Sequence, residues 1–87
     1  MEILSGKITH YYDSIGVAAV EVSDYIEVGN SIHIKGRTTD FEQKVESIQI
    51  EHQTVTKAVK GQAIGLKVKD YVREHDLVYR IEAEKTI

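Results

Sequence analysis

The chain has 87 residues, 41% hydrophobic and 29% charged, with a formal net charge of −3. This composition suits one globular domain with a thin core and is too apolar for a disordered chain. With no cysteine present, disulfides, thiolate zinc sites and cysteine nucleophiles are excluded, and the negative total argues against strong sequence-independent nucleic-acid binding.

No window holds a sustained helical period. Short runs rich in Val, Ile, Thr and Tyr are broken by glycine and acidic turns, the pattern of an all-β domain. Ile3 to Tyr12 is expected as the first strand, with Leu4, Gly6 and Ile8 on one face. Asp13-Ser14-Ile15-Gly16 follows as a turn, then a strand from Val17 to Val22 with Ala18, Val20 and Val22 inward. Asp24 to Asn30 is expected as a connection with Ile26 and Val28 tucked in. Ser31-Ile32-His33-Ile34-Lys35 alternates, placing Ile32 and Ile34 inside and His33 and Lys35 outside.

Gly36 to Asp40 is expected as a loop, and Phe41 to Glu51 as one strand with a bulge near Glu46-Ser47, because Val45 and Ile48 break strict alternation. His52 to Gln62 is expected as a loop with at most one helical turn, ended by Gly61. Ile64 to Lys69 is a strand, Tyr71 to Asp76 a turn and Leu77 to Ile81 the last strand, with a frayed end from Ala83 to Ile87. The fold expected is a six-stranded, closed or nearly closed β-barrel, one domain over residues 1–87 with its core between about 4 and 81, since no strand is dressed as a protected edge.

The residue order carries a resemblance. A first strand with Gly6-Lys7-Ile8, the Ala- and Val-rich strand Val17 to Val22, and Ile26-Glu27-Val28-Gly29-Asn30-Ser31-Ile32-His33-Ile34 lead into Val45-Glu46-Ser47-Ile48-Gln49-Ile50. Lys60-Gly61-Gln62-Ala63-Ile64-Gly65-Leu66 and a closing strand complete the outline. This resembles the translation-factor β-barrel, as in the second domain of elongation factor Tu. Within that group, Ile32 to Phe41 looks most like the C-terminal barrel of collagenase-like peptidases and like stand-alone elongation-factor-like proteins. The resemblance implies a non-enzymatic module that docks on a protein or ribonucleoprotein partner, without cofactor; the lack of cysteine separately favours a cytoplasmic setting, since secreted domains of this size often need disulfides. One departure is His75-Asp76 where the family usually has Gly-Asp; if the turn needs a positive φ, His75 carries a strain cost. No Gly-x-x-x-x-Gly-Lys-Ser/Thr occurs, so nucleotide hydrolysis is not carried over, and neither is proteolysis.

Three groups of residues compete for chemistry. His10, His33, His52 and His75 lack metal-ligand spacing and are expected as solvated or locally bonded side chains. His33, Lys35 and the loop Arg37, Thr38, Thr39 and Asp40 form a candidate partner-binding surface, against the simpler reading of a hairpin whose polar side chains bond their own backbone. Residues 1–30 carry five acids and one base, while residues 31–87 carry ten bases and nine acids. Lys57, Lys60, Lys67, Lys69 and Arg73 are therefore a candidate RNA-contacting patch, against an ordinary solvated face. No nucleophile–base pair has support, so an enzyme or small-molecule role is the least favoured class.

Overall fold

The computed structural model describes residues 1–82; the frayed end expected from Ala83 to Ile87 lies outside them. Ten strands follow in order: β1 (Glu2–Tyr12), β2 (Val17–Val22), β3 (Ile26–Glu27), β4 (Ser31–Lys35), β5 (Asp40–Lys44), β6 (Ile48–Ile50), β7 (Gln53–Val55), β8 (Lys57–Ala58), β9 (Ala63–Lys67) and β10 (Leu77–Ile81). Eight of them form one antiparallel sheet in the order β5-β4-β10-β1-β2-β9-β6-β7, and β3 pairs with β8 as a separate ribbon.

The spine is β1, hydrogen-bonded to β10 on one side and β2 on the other. Its pairing slips between Leu4 and Gly6 and again between Ile8 and His10. The first slip buries both Ser5 and Gly6 and leaves Leu4 half exposed, because an extra residue in one strand shifts the alternation by one place. The core collects the inward positions: Ile8 from β1, Val20 and Val22 from β2, Ile32 and Ile34 from β4, Leu66 from β9 and Val78 from β10, all buried. These are the positions that strict alternation in β2, β4, β9 and β10 assigns inward.

The structure corrects several expectations. The sheet is all-β, yet it is open, with ten short strands in place of six and no ladder between the outer strands β5 and β7 among the described residues. The residues after Phe41 are the cause. They form two strands, not one with a bulge. Val45 turns inward between β5 and β6, where its NH donates to Asn30 O at 2.9 Å and its carbonyl accepts from Gly29 NH at 2.9 Å. Fully buried there, it directs the chain away from β4 to pair with β9 instead.

The segment expected as a loop with one helical turn contains β7 and β8, and Val28 is exposed rather than tucked in. Where the sheet stays open, a side chain spans the gap. Gln43, on the inner face of β5, donates its amide NH2 to Lys67 O at 2.9 Å and accepts from Lys69 NH at 2.8 Å. The amide copies one rung of a ladder between β5 and the end of β9.

Candidate functional site

Three separated stretches meet at one surface: the end of β1 (Tyr11 to Asp13), the β4–β5 connection with the start of β5, and the β9–β10 connection (Asp70 to Asp76). Two hollows adjoin there. One, of about 520 Å3, is lined by His10, Tyr11, Asp13, Arg73, Glu74 and His75, among others. The second, of about 280 Å3, is lined by Thr38, Thr39, Asp40, Phe41 and Asp70. Tyr71 and Arg73 line both. Tyr71 is more than half exposed. It meets Tyr11 edge to face, centroids 4.9 Å apart at 74°, and the Arg73 guanidinium lies 5.6 Å from its ring centroid. Edge-to-face contact and a cation over the ring both hold an exposed aromatic in place.

The β9–β10 connection is held rigidly. Val72 is buried and anchors it to the core. Asp76, also buried, accepts from Arg73 NH at 2.9 Å, and its own NH donates to Arg73 O at 3.2 Å. His75 has φ 76°, so the positive-φ requirement anticipated at that position is real and a non-glycine residue meets it. His75 NH donates to Ile8 O at 2.8 Å, and Ile8 NH to Asp76 O at 2.8 Å; these two bonds keep His75 in the left-handed region.

The expected partner-binding residues differ in exposure and bonding. Arg37 and Thr38 are exposed at the tip of the β4–β5 connection, whereas Thr39 is buried and its carbonyl accepts from Gly36 NH at 2.7 Å. Lys35 is exposed opposite Asp40 in the ladder. His33 is occupied: Nδ1 bonds Glu2 Oε2 at 2.7 Å and Nε2 bonds Asp40 Oδ1. The hydrogen bond to Asp40, then that to Glu2, raises the His33 pKa above the ordinary histidine value against the pull of burial. The imidazolium thus links β1, β4 and β5 across β10 on the outer face.

The five residues expected as an RNA patch are spread. Lys57 stands 4.8 Å from the Tyr25 ring centroid and Lys69 5.9 Å from that of Phe41. Lys60 lies in the turn before β9 and Lys67 ends that strand, so the length of β9, about 13 Å at the rise of an extended strand, stands between them. Arg73 sits at the twin hollows.

Arg80 was not among the expected residues. Although buried, it donates to Tyr25 O at 2.7 Å, Asp24 Oδ1 at 3.0 Å and Glu82 Oε2 at 3.2 Å, and lies 3.7 Å from the Tyr25 ring centroid. Burial pulls its pKa down, but the bonds to Asp24 and Glu82 outweigh it and the net shift is upward. The same bond to Arg80 lowers the Asp24 carboxyl. The signal was present in β10, where alternation puts Arg80 on the inward face with Val78.

No family model matches the chain. Over 83 residues, 93% of its length, it is 45% identical to a collagenase of Porphyromonas gingivalis, and the match covers 20% of that protein. It is 37% identical over 78 residues to an uncharacterised protease of Methanocaldococcus jannaschii, covering 19% of it. The chain therefore spans about a fifth of the length of the curated relatives it matches. The crystal structure of the C-terminal domain of a Geobacillus thermoleovorans protein assigned to the U32 peptidases matches with a TM-score of 0.86 at 20% identity, over 92% of this chain and 93% of that one. This chain has the fold of that C-terminal domain. The expected resemblance to the collagenase-like C-terminal domain is supported; the one to translation-factor barrels gains no support from these relatives. Among the described residues no group of three or more histidines and carboxylates is placed to hold a metal ion.

Proposed function

We propose that the chain is a non-enzymatic binding module that docks on a protein partner through the surface around Tyr71 and Arg73, the partner being the remaining part of a collagenase-type peptidase, in the same or a separate chain. One observation carries this reading: two adjoining hollows share Tyr71 and Arg73 as a common wall, so three distant stretches of sequence build one continuous surface on a rigid scaffold. The choice of partner is part of the proposal and is motivated by the match to about a fifth of peptidase relatives, which leaves four-fifths of those proteins for such a module to serve. A cytoplasmic setting belongs to the same proposal.

The test is calorimetric titration of the purified chain against the P. gingivalis collagenase lacking its own matching segment. Binding is expected, weakened about tenfold or more in Tyr71→Ala, as for an exposed aromatic anchor. No heat of binding at high micromolar concentration would overturn the proposal. Direct RNA contact is the weaker reading, because Lys60 and Lys67 stand at opposite ends of β9. Its mark would be retention of labelled tRNA at low salt and steep loss as salt rises.

A further inference from the structure

We infer that His33 is a proton-operated switch on the second hollow: protonated, it neutralises Asp40 in that hollow's wall, and on losing its proton it leaves the Asp40 charge to the hollow. This rests on the docking surface proposed above and names its regulation. Each nitrogen of the His33 ring meets a carboxylate: Nδ1 bonds Glu2 Oε2 at 2.7 Å and Nε2 bonds Asp40 Oδ1. An ionised carboxylate only accepts, so both bonds need a ring proton, and only the imidazolium carries two. A neutral ring has a single N–H. One carboxylate must then face a lone pair, and neither is any longer matched by a positive charge. The Asp40 side chain is 71% exposed against 40% for Glu2, so water replaces the lost bond more readily at Asp40. The ring itself is only 13% exposed, which limits how far solvent screens its charge.

The groups around the ring come from every strand beside it. Glu42 of β5 and Tyr79 of β10 stand directly opposite His33 in the two ladders, and Glu2 reaches over from β1. Three carboxylates, Glu2, Asp40 and Glu42, thus surround one imidazole. Lys35 lies opposite Asp40 and Lys44 opposite Ser31; both lysines are exposed, and exposed ion pairs hold a carboxylate weakly. The raised His33 pKa has the same origin, Asp40 first and Glu2 second. Asp40 also belongs to the docking surface, since with Asp70 and Arg73 it lines the second hollow. Below the His33 transition the imidazolium offsets Asp40. Above it the wall presents both Asp40 and Asp70. The cations that remain close, Arg73 in the wall and Lys69 over Phe41, are the same in both states. The hollow therefore becomes more negative by one charge as pH rises through the transition, and a basic group on the partner is favoured there more strongly above it.

The experiment follows the isotopically labelled chain by NMR from about pH 6 to about pH 9. The His33 ring should titrate above the ordinary histidine value of about 6.5, and the amides of Thr38 and Asp70 should shift with the same midpoint. These two residues line the second hollow and not the first, whose own histidines are His10 and His75. In Asp40→Asn the ring should still titrate, at lower pH, while Asp70 no longer follows it, because the carboxylate that carries the change is gone. In Glu2→Gln the midpoint should fall and Asp70 should still move with it, since Glu2 tunes the ring without lining the hollow.

An Asp70 amide that stays flat while His33 titrates, one that still follows His33 in Asp40→Asn, or a His33 midpoint at or below about 6.5 would overturn the inference. Both substituted side chains are exposed, and the unsubstituted chain decides the first and third outcomes should a variant fail to fold. The titration needs no partner. If Asp70 follows His33 and the peptidase body does not bind, the docking proposal falls and the switch stands. If the peptidase body binds and Asp70 stays flat, docking stands without this regulation.

Discussion

At the scale of single residues, Gly36 and Asp76 depend on each other. A Cβ at position 36 would overlap Oδ1 and Cγ of Asp76, and Asp76 is buried with its carboxylate bonded to Arg73 NH. Gly36→Ala should therefore cost about 1–3 kcal/mol, the usual penalty for overpacking, measured by urea unfolding. The penalty should shrink in an Asp76→Ala background, since the two sites share one space. Full additivity would show that the overlap is relieved elsewhere.

His33 gives a pH-dependent counterpart. Its folded pKa is raised by Asp40 and Glu2. Its contribution to stability is therefore complete below the ordinary histidine value of about 6.5 and is lost as pH rises through the raised folded value. The melting temperature should fall more between pH 6 and pH 9 in the unsubstituted chain than in His33→Asn. Parallel profiles would remove the imidazolium from the account. No spacing rule links Glu2 to His33, 31 positions apart; the pair exists because β10 places β1 and β4 on its two sides.

At the scale of elements, the β6–β7 hairpin is the most improvable part of the chain. Ile50 pairs with Gln53, so its loop is Glu51-His52, and both residues have positive φ, 50° and 66°. A two-residue loop with both φ values positive favours Asn-Gly, and side chains with a Cβ are held there at a cost of roughly 1–2 kcal/mol per residue. Replacing Glu51-His52 by Asn-Gly should stabilise the chain by about 1 kcal/mol, a rise of about 4–8 °C in melting temperature for a domain of this size. An unchanged melting temperature would show the strain to be absent.

The same hairpin shows why the sequence was legible only in part. Strands β2, β4, β9 and β10 alternate over five or six residues and could be placed from pattern alone. Strands β6, β7 and β8 are two or three residues long, too short to show a period, and their turn lacks the glycine that would mark it. The connection from Tyr71 to Asp76 was legible as a turn, and its positive φ at His75 was foreseeable. That Tyr11 would meet Tyr71 was not, since the contact depends on sheet order rather than local pattern.

At the scale of the whole molecule, pairing joins the two ends of the described chain. Glu2 lies opposite Ile81, and Gly6 pairs with both Val78 and Val22. Such long-range pairing places refolding in the millisecond-to-second range. There is no proline and no cysteine, so refolding should follow a single phase, with no component of tens of seconds and no dependence on reductant. Stopped-flow dilution from urea reads this directly, and a slow second phase would point to a populated intermediate.

The Gln43 amide carries a consequence of its own. Lys69 NH is held by that side chain, not by a neighbouring strand. The seam between the two sides of the curled sheet thus closes with a latch that one rotamer change can release, while the backbone ladders on either side stay intact. Proton exchange at this single amide reports how often the sheet breathes open, and a strand supplied by another chain would find its first vacant rung there.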